Sequence, residues 1–243
     1  PDECGHAGGA KATAAPSRPV IHKPTDDDGR GLVVLAEAPG LAKTLDDEDV
    51  RTLTAGSPST VEILAAIRAT DCRDVVVLAD TPVHAVAESA GDLARAHGCR
   101  VSVIPMRSPV QALAALAVRD ASRRYDDDVI AMAEAAGACR HAEVTVAARA
   151  GLTSVGRCEA GDYLGMADGD VTVFGSDLDE VLCELVDRFC AAGVELLTIV
   201  AGAKLSIDAA DRLEVHVEKR WPMVEVHRFD GGQRRHLVWI GAE

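Results

Sequence analysis

The stretch DVVVLADTPVHAVAESAGDLARAHGCRVSVIPMRSPVQALAAL, residues 74–116, decides the fold. Its β-branched runs Asp74–Ala79 and Arg100–Ile104 read as buried strands. Each leads through a short polar turn into an Ala-rich amphipathic segment, Pro82–His97 and Pro109–Arg119. Strand, turn and helix in that repeat describe βαβ units on a parallel sheet. Proline near a helix start suits this reading, because its missing N–H has no partner to lose there.

Working outward, the same alternation begins near Gly31, with strands at Leu32–Glu37 and Val50–Thr54 and helices at Pro39–Leu45 and Ser59–Thr70. Residues 1–30 are rich in Gly, Ala, Pro and Asp without periodicity and are expected to be a disordered linker. A linker at the start, and a first residue Pro1 rather than Met, imply something attached upstream. A polar stretch at 121–127 suggests a boundary, giving a parallel βα domain at 31–124 and a mixed α+β domain at 125–243. The second half offers a helix at Asp126–Cys139 and then strands at Ala142–Arg149, Ser154–Cys158, Tyr163–Ala167 and Asp170–Phe174. Gly- and Asp-rich turns between them predict an antiparallel meander, with Asp168-Gly169 as a hairpin signal. A helix at Asp177–Ala191, with Ser176 as its expected N-cap, precedes a strand at Glu195–Ala201 and a helix at Ile207–Arg220. Two last strands, Met223–Phe229 and His236–Ile240, are split by Gly231-Gly232-Gln233, which reads as a hairpin turn or a recognition loop.

The 243 residues are 48% hydrophobic, enough for a core without staples. Lys plus Arg number 25 against 39 Asp plus Glu, a net charge of −14, which repels nucleic acid and anionic lipid. No membrane insertion is expected, and without a signal peptide the expected address is cytoplasmic. Seven cysteines with no C-x-x-C pair suit neither a disulfide framework nor a zinc site. Nucleotide-binding and nucleophile-elbow motifs are absent, so no catalytic residue and no metal ligand is assigned.

In a parallel α/β sheet, ligands bind beyond the carboxyl ends of the strands. The turns there carry the candidate ligand- or partner-binding residues: Gly56, Ser57, Ser59 and Thr60 after the second strand, Asp80 and Thr81 after the third, and Arg107 and Ser108 after the fourth. Hydroxyls and free N–H groups at helix starts favour anions, and Arg107 adds charge. The same side chains also suit ordinary N-caps. Gly231, Gly232 and Gln233 complete the set, facing a cleft expected between Val50–Pro109 and the last two strands.

The order of AGSPSTVEILAAI (55–67), VVVLAD (75–80), VSVIPMRSPVQALAAL (101–116), EAGDYLGMADGDVTVFGSDLDEV (159–181), LLTIVAGA (196–203) and VEVHRFDGGQ (224–233) resembles the C-terminal region of DAK2-domain proteins. These are the A subunit of bacterial fatty-acid kinase and its dihydroxyacetone-kinase-like relatives. The resemblance runs from about Gly31 to Glu243 and implies a two-lobed α/β fold related to the DegV fatty-acid-binding proteins. It implies a kinase that phosphorylates the carboxyl group of a fatty acid, held by a separate acyl-binding subunit, with ATP and magnesium bound by an N-terminal domain. Gly161-Asp162 and Gly169-Asp170 lack that domain's acidic metal-binding pattern, so no cofactor is expected in this chain. The implied role is a non-catalytic region that docks or positions the acyl-binding subunit. Two alternatives are a DegV-like module holding a fatty-acid carboxylate at Ser57, Ser59 and Thr60, and a dihydroxyacetone-binding subunit using His84 or His141. The family's asparagine turn after the third strand reads Ala79-Asp80-Thr81 here.

Overall fold

The computed structural model describes residues 29–46, 50–120 and 122–243. The acidic runs at 26–28 and 47–49 and the expected linker up to Asp28 lie outside the described residues. The first sheet holds four parallel strands, β1 (Arg30–Leu35), β2 (Arg51–Leu53), β3 (Asp74–Asp80) and β4 (Arg100–Met106), in the order β2-β1-β3-β4. Helices α1 (Pro39–Asp46), α2 (Thr60–Ala69) and α3 (His84–Ala96) connect them, and α4 (Pro109–Ala117) and α5 (Tyr125–Ala138) follow.

Period-two alternation divides the buried strands between two cores. Val33, Leu35, Val75 and Val77 face α2 and α3, with Ile63, Ile67, Ala87 and Ala90. Leu32, Val34, Val76 and Leu78 face the other way, onto α1, α4 and α5, with Leu41, Leu113, Leu116 and Met132.

The second sheet has six strands in the order β11-β10-β12-β5-β8-β9: β5 (Arg140–Val146), β8 (Tyr163–Ala167), β9 (Asp170–Gly175), β10 (Leu196–Ala201), β11 (Glu225–Asp230) and β12 (Val238–Ala242). A separate ribbon pairs β6 (Gly151–Thr153) with β7 (Gly156–Cys158). Leu197, Ile199, Val238 and Ile240 pack on α6 (Leu178–Cys190) and α7 (Ile207–Arg220). Val200, Phe229 and Trp239 join the core around α4 instead. The molecule is therefore layered as helices, sheet, helices, sheet, helices, and α4 is buried along its whole length except Ala117.

Several details differ from the sequence reading. The Tyr125 hydroxyl donates to Val75 O, and buried Asp128 pairs with Arg30 at 3.0 Å, so α5 packs with the first sheet. Ser154–Cys158 leaves the meander for its own ribbon with β6. The N-cap of α6 is Asp177, whose carboxylate accepts from Glu180 N at 3.0 Å; Ser176 lies one residue too early. β11 runs parallel to β10 and β12 antiparallel on β10's other side, so Gly231-Gly232-Gln233 is a crossover and not a hairpin turn. The Asp168-Gly169 turn does join β8 to β9, with positive φ at both residues (51° and 98°).

Candidate functional site

The carboxyl ends of β1 to β4 point toward the 231–237 crossover, and a cavity of about 340 Å³ opens between them. Glu37, Gly56, Ser57, Asp80, Pro82, Pro109, Gln233, Arg234, Arg235, His236 and Trp239 are among its walls.

Sequence candidates at the first turn split into two groups. Ser59 caps α2: its Oγ accepts from Glu62 N at 3.3 Å, and Glu62 Oε2 accepts from both Ser59 N and Ser59 Oγ at 2.7 Å. These bonds use up the Ser59 hydroxyl in a capping box and hold the Glu62 carboxyl below its usual range. Thr60 is the first helical residue, and neither it nor Ser59 lines the cavity. Gly56 and Ser57 do line it, and Ser57 makes no hydrogen bond among the described residues. A Cβ at Gly56 would stand 3.0 Å from Glu37 Oε2, so glycine lets that carboxylate close over the turn.

At the second turn, Asp80 Oδ1 accepts from Thr81 N at 2.9 Å, and the Thr81 hydroxyl donates to Met106 O at 2.8 Å. Thr81 thus ties the ends of β3 and β4, while Asp80 faces the cavity. Burial raises the Asp80 carboxyl; the Thr81 N–H opposes this, Glu143 adds to it, and His141 and His236 lower it.

The third turn is tied down by Gln111, which accepts from Arg107 N at 2.7 Å and donates to Cys139 O at 3.0 Å. Ser108 occupies the N-cap of α4, yet its buried Oγ makes no cap hydrogen bond, and it does not line the cavity. Arg107 lines a second opening of about 550 Å³, with Thr81, Arg140, His141 and Asp168.

The crossover candidates are positioned by backbone contacts. Gly231 N and Gly232 N donate to Ala201 O, and Gly231 O accepts from Gly40 N at 2.9 Å. Buried Gln233 donates from Nε2 to Val200 O at 3.0 Å, and its Oε1 stands 2.1 Å from where a Cβ of residue 231 would be. Position 231 is glycine because the Gln233 side chain fills its side-chain space.

Sequence reasoning missed Glu37, Glu143, Arg234, Arg235 and Trp239, and it gave His236 only a structural role. His236 Nε2 lies 3.4 Å from Glu143 Oε2, and its ring tilts against Trp239 at 5.4 Å. His141 Nδ1 lies 3.7 Å from Asp168 Oδ1, and Arg140 pairs with the same carboxylate at 3.0 Å. Burial pushes His141 below its ordinary range, against the pull of Asp168 and Glu143. The adjacent Arg234-Arg235-His236 was the one local signal, but its pairing with position 143 is a long-range contact. His84 opens α3, with its Nδ1 buried and unpartnered among the described residues.

No hydrogen bond joins Ser57 to His236, so the cleft holds no assembled Ser–His pair. Its mixed charges suit recognition of a polar surface. Among the described residues, no group of three or more His, Cys, Asp or Glu is placed to hold a metal ion, and no helix is long and apolar enough to cross a membrane.

Residues 31–243 match the FakA-like C-terminal family model, which describes the C-terminal region of proteins like the A subunit of fatty acid kinase. An uncharacterized protein of Staphylococcus haemolyticus is 27% identical over 178 residues, which are 73% of this chain and 32% of that protein. The chain thus spans about a third of the length of the curated relatives it matches. Three solved structures share the fold. A DegV family protein of Corynebacterium glutamicum aligns with a TM-score of 0.64 at 15% identity, over 88% of this chain and 96% of its own. The fatty acid kinase B3 protein of Streptococcus pneumoniae, loaded with linoleic acid, gives 0.61 at 10% identity, over 77% and 76%. The dihydroxyacetone kinase of C. freundii, in complex with AMP-PNP and magnesium, gives 0.63 at 12%, over 89% and 49%.

Proposed function

Since this chain belongs to the FakA-like C-terminal family of fatty acid kinases, we propose that it is a non-catalytic docking region for an acyl-binding subunit in the cytoplasm. It positions the fatty acid held by that subunit for acyl-phosphate formation. ATP and magnesium are handled by a domain outside these residues.

One observation carries the choice of docking over carrying: the space between the sheets is filled. Val110, Ala112, Leu113, Ala115 and Leu116 of α4 pack in one apolar core with Leu78 and Ile104 of the first sheet and Val200, Phe229 and Trp239 of the second. Packing at that density leaves little room for an acyl chain. What remains open is a short cleft bordered by Glu37, Asp80, Arg234, Arg235 and His236. A second reading, a fatty-acid-binding module, draws on the apolar part of the same wall, Pro82, Val83, Pro109 and Trp239.

Isothermal titration of the chain with a purified DegV-type acyl-binding protein of the same organism, and separately with palmitate, separates the two. Docking predicts a saturable protein complex and no heat from the free acid. Saturable palmitate binding without a protein complex favours the carrier.

A further inference from the structure

Charge is distributed unevenly in this acidic chain. Residues 144–158 (VTVAARAGLTSVGRC) and 231–237 (GGQRRHL) contain no Asp or Glu and four arginines, although the whole chain has 39 acidic residues. The fold joins the two segments: Leu237 N donates to Val144 O at 2.7 Å, and the Thr145 hydroxyl donates to Arg235 O at 3.3 Å. The hairpin β6–β7 extends from one side of this junction, and Arg234 and Arg235 form the lip of the cleft on the other. Among the described residues, Arg149, Arg234 and Arg235 make no ion pair, while Arg157 has Glu159 at 3.6 Å.

The hairpin displays apolar groups beside these charges. Leu152 stands opposite Arg157 across the ribbon and is 88% exposed, and Val146 and Val155 are also exposed. A two-stranded ribbon is marginal by itself, but this one is anchored. The Ser154 hydroxyl donates to Val171 O, Cys158 is buried, and Phe174 packs under Gly156. A fixed element that turns its largest apolar side chain to solvent, flanked by arginines, has the composition of an interface centre.

We propose that this surface, from the β6–β7 hairpin to the Arg234-Arg235 lip, is the face that docks the acyl-binding subunit, and that it takes an apolar patch rimmed by carboxylates. The assignment rests on the docking reading above. Charge complementarity selects the partner's rim, because unpaired guanidinium groups without neighbouring acids favour carboxylates. The acidic remainder of the chain disfavours anionic lipid as the occupant.

The test titrates the full 243-residue chain, at low and high salt, with the purified acyl-binding subunit, and in parallel with phosphatidylglycerol vesicles. The expected result is binding to the subunit that weakens with salt. Arg234→Glu/Arg235→Glu and Leu152→Asp should each lower affinity by about tenfold or more, while Met223→Asp, at an exposed site outside this face, leaves it unchanged. Unaltered melting temperatures confirm that all variants are folded. If the wild type binds and both sets of variants bind equally well, the surface assignment is overturned while docking stands. Absence of any wild-type binding overturns both. Vesicle binding that the arginine reversal abolishes, with subunit binding intact, also overturns the assignment.

Discussion

The turns at the carboxyl ends of the first sheet and the 231–237 crossover face each other across one cleft but are built by different rules. In the turns, polar side chains mostly serve their own backbone. Ser59 closes a capping box with Glu62, Thr81 bonds to Met106 O, and Gln111 bonds to Arg107 N. In the crossover, glycine backbone and one buried amide fix the path, and the charged side chains Arg234, Arg235 and His236 are left facing outward. Local capping consumes functional groups, whereas a path fixed by non-local contacts leaves them available. This is why the recognition chemistry lies on the crossover side.

The strongest way to break this comparison is to disturb the frame under the turns. Asp128→Ala leaves the Arg30 guanidinium facing a lost buried partner and should cost about 3–5 kcal/mol in urea unfolding. A small loss would mean that α5 is not held to the first sheet as described. Next in size is Gly40→Ala, whose Cβ would stand 2.3 Å from Asp230 O, where the first lobe meets the crossover. A backbone oxygen cannot swing aside, so about 1–3 kcal/mol of stability should be lost, with weaker subunit binding. Ser59→Ala removes the capping box and should cost about 1 kcal/mol while leaving affinity for the partner untouched. A loss of affinity without a loss of stability would return Ser59 to the binding site.

The smallest effect is a pH dependence. Burial holds His141 below the ordinary histidine value of about 6.5, so the folded chain binds this proton less tightly than the unfolded chain. Its contribution to stability is lost as pH falls from about 6.5 toward the lower folded value. Asp80 acts in the opposite sense further down, because its raised carboxyl lets the folded state hold a proton more tightly. His141→Gln should flatten the stability profile between about pH 7 and pH 5, as measured by urea unfolding across that range.

Much of the first lobe was legible because its signals are local. The valine runs at 75–77 and 101–103, the prolines at helix starts and the Ser59…Glu62 spacing each act within a few residues. The second lobe was legible in its elements but not in their order. Nothing near Gly231-Gly232 distinguishes a hairpin from a crossover, since that choice depends on β10 taking β11 and β12 on opposite edges. The ribbon at 151–158 was hidden for a similar reason: its three-residue strands are shorter than a periodic pattern can reveal. Of the site, Gly56, Ser57, Asp80 and Gln233 were readable, whereas Glu37 and Glu143 look like ordinary charges until the sheets bring them to the cleft.

Native mass spectrometry of the chain mixed with an acyl-binding subunit carrying one fatty acid tests the central claim most directly. Docking predicts a complex whose mass includes both proteins and the acid, and which on dissociation leaves the chain bare and the acid with the subunit. A free chain carrying the acid, with no complex at any ratio, would contradict the account and establish the chain as a carrier.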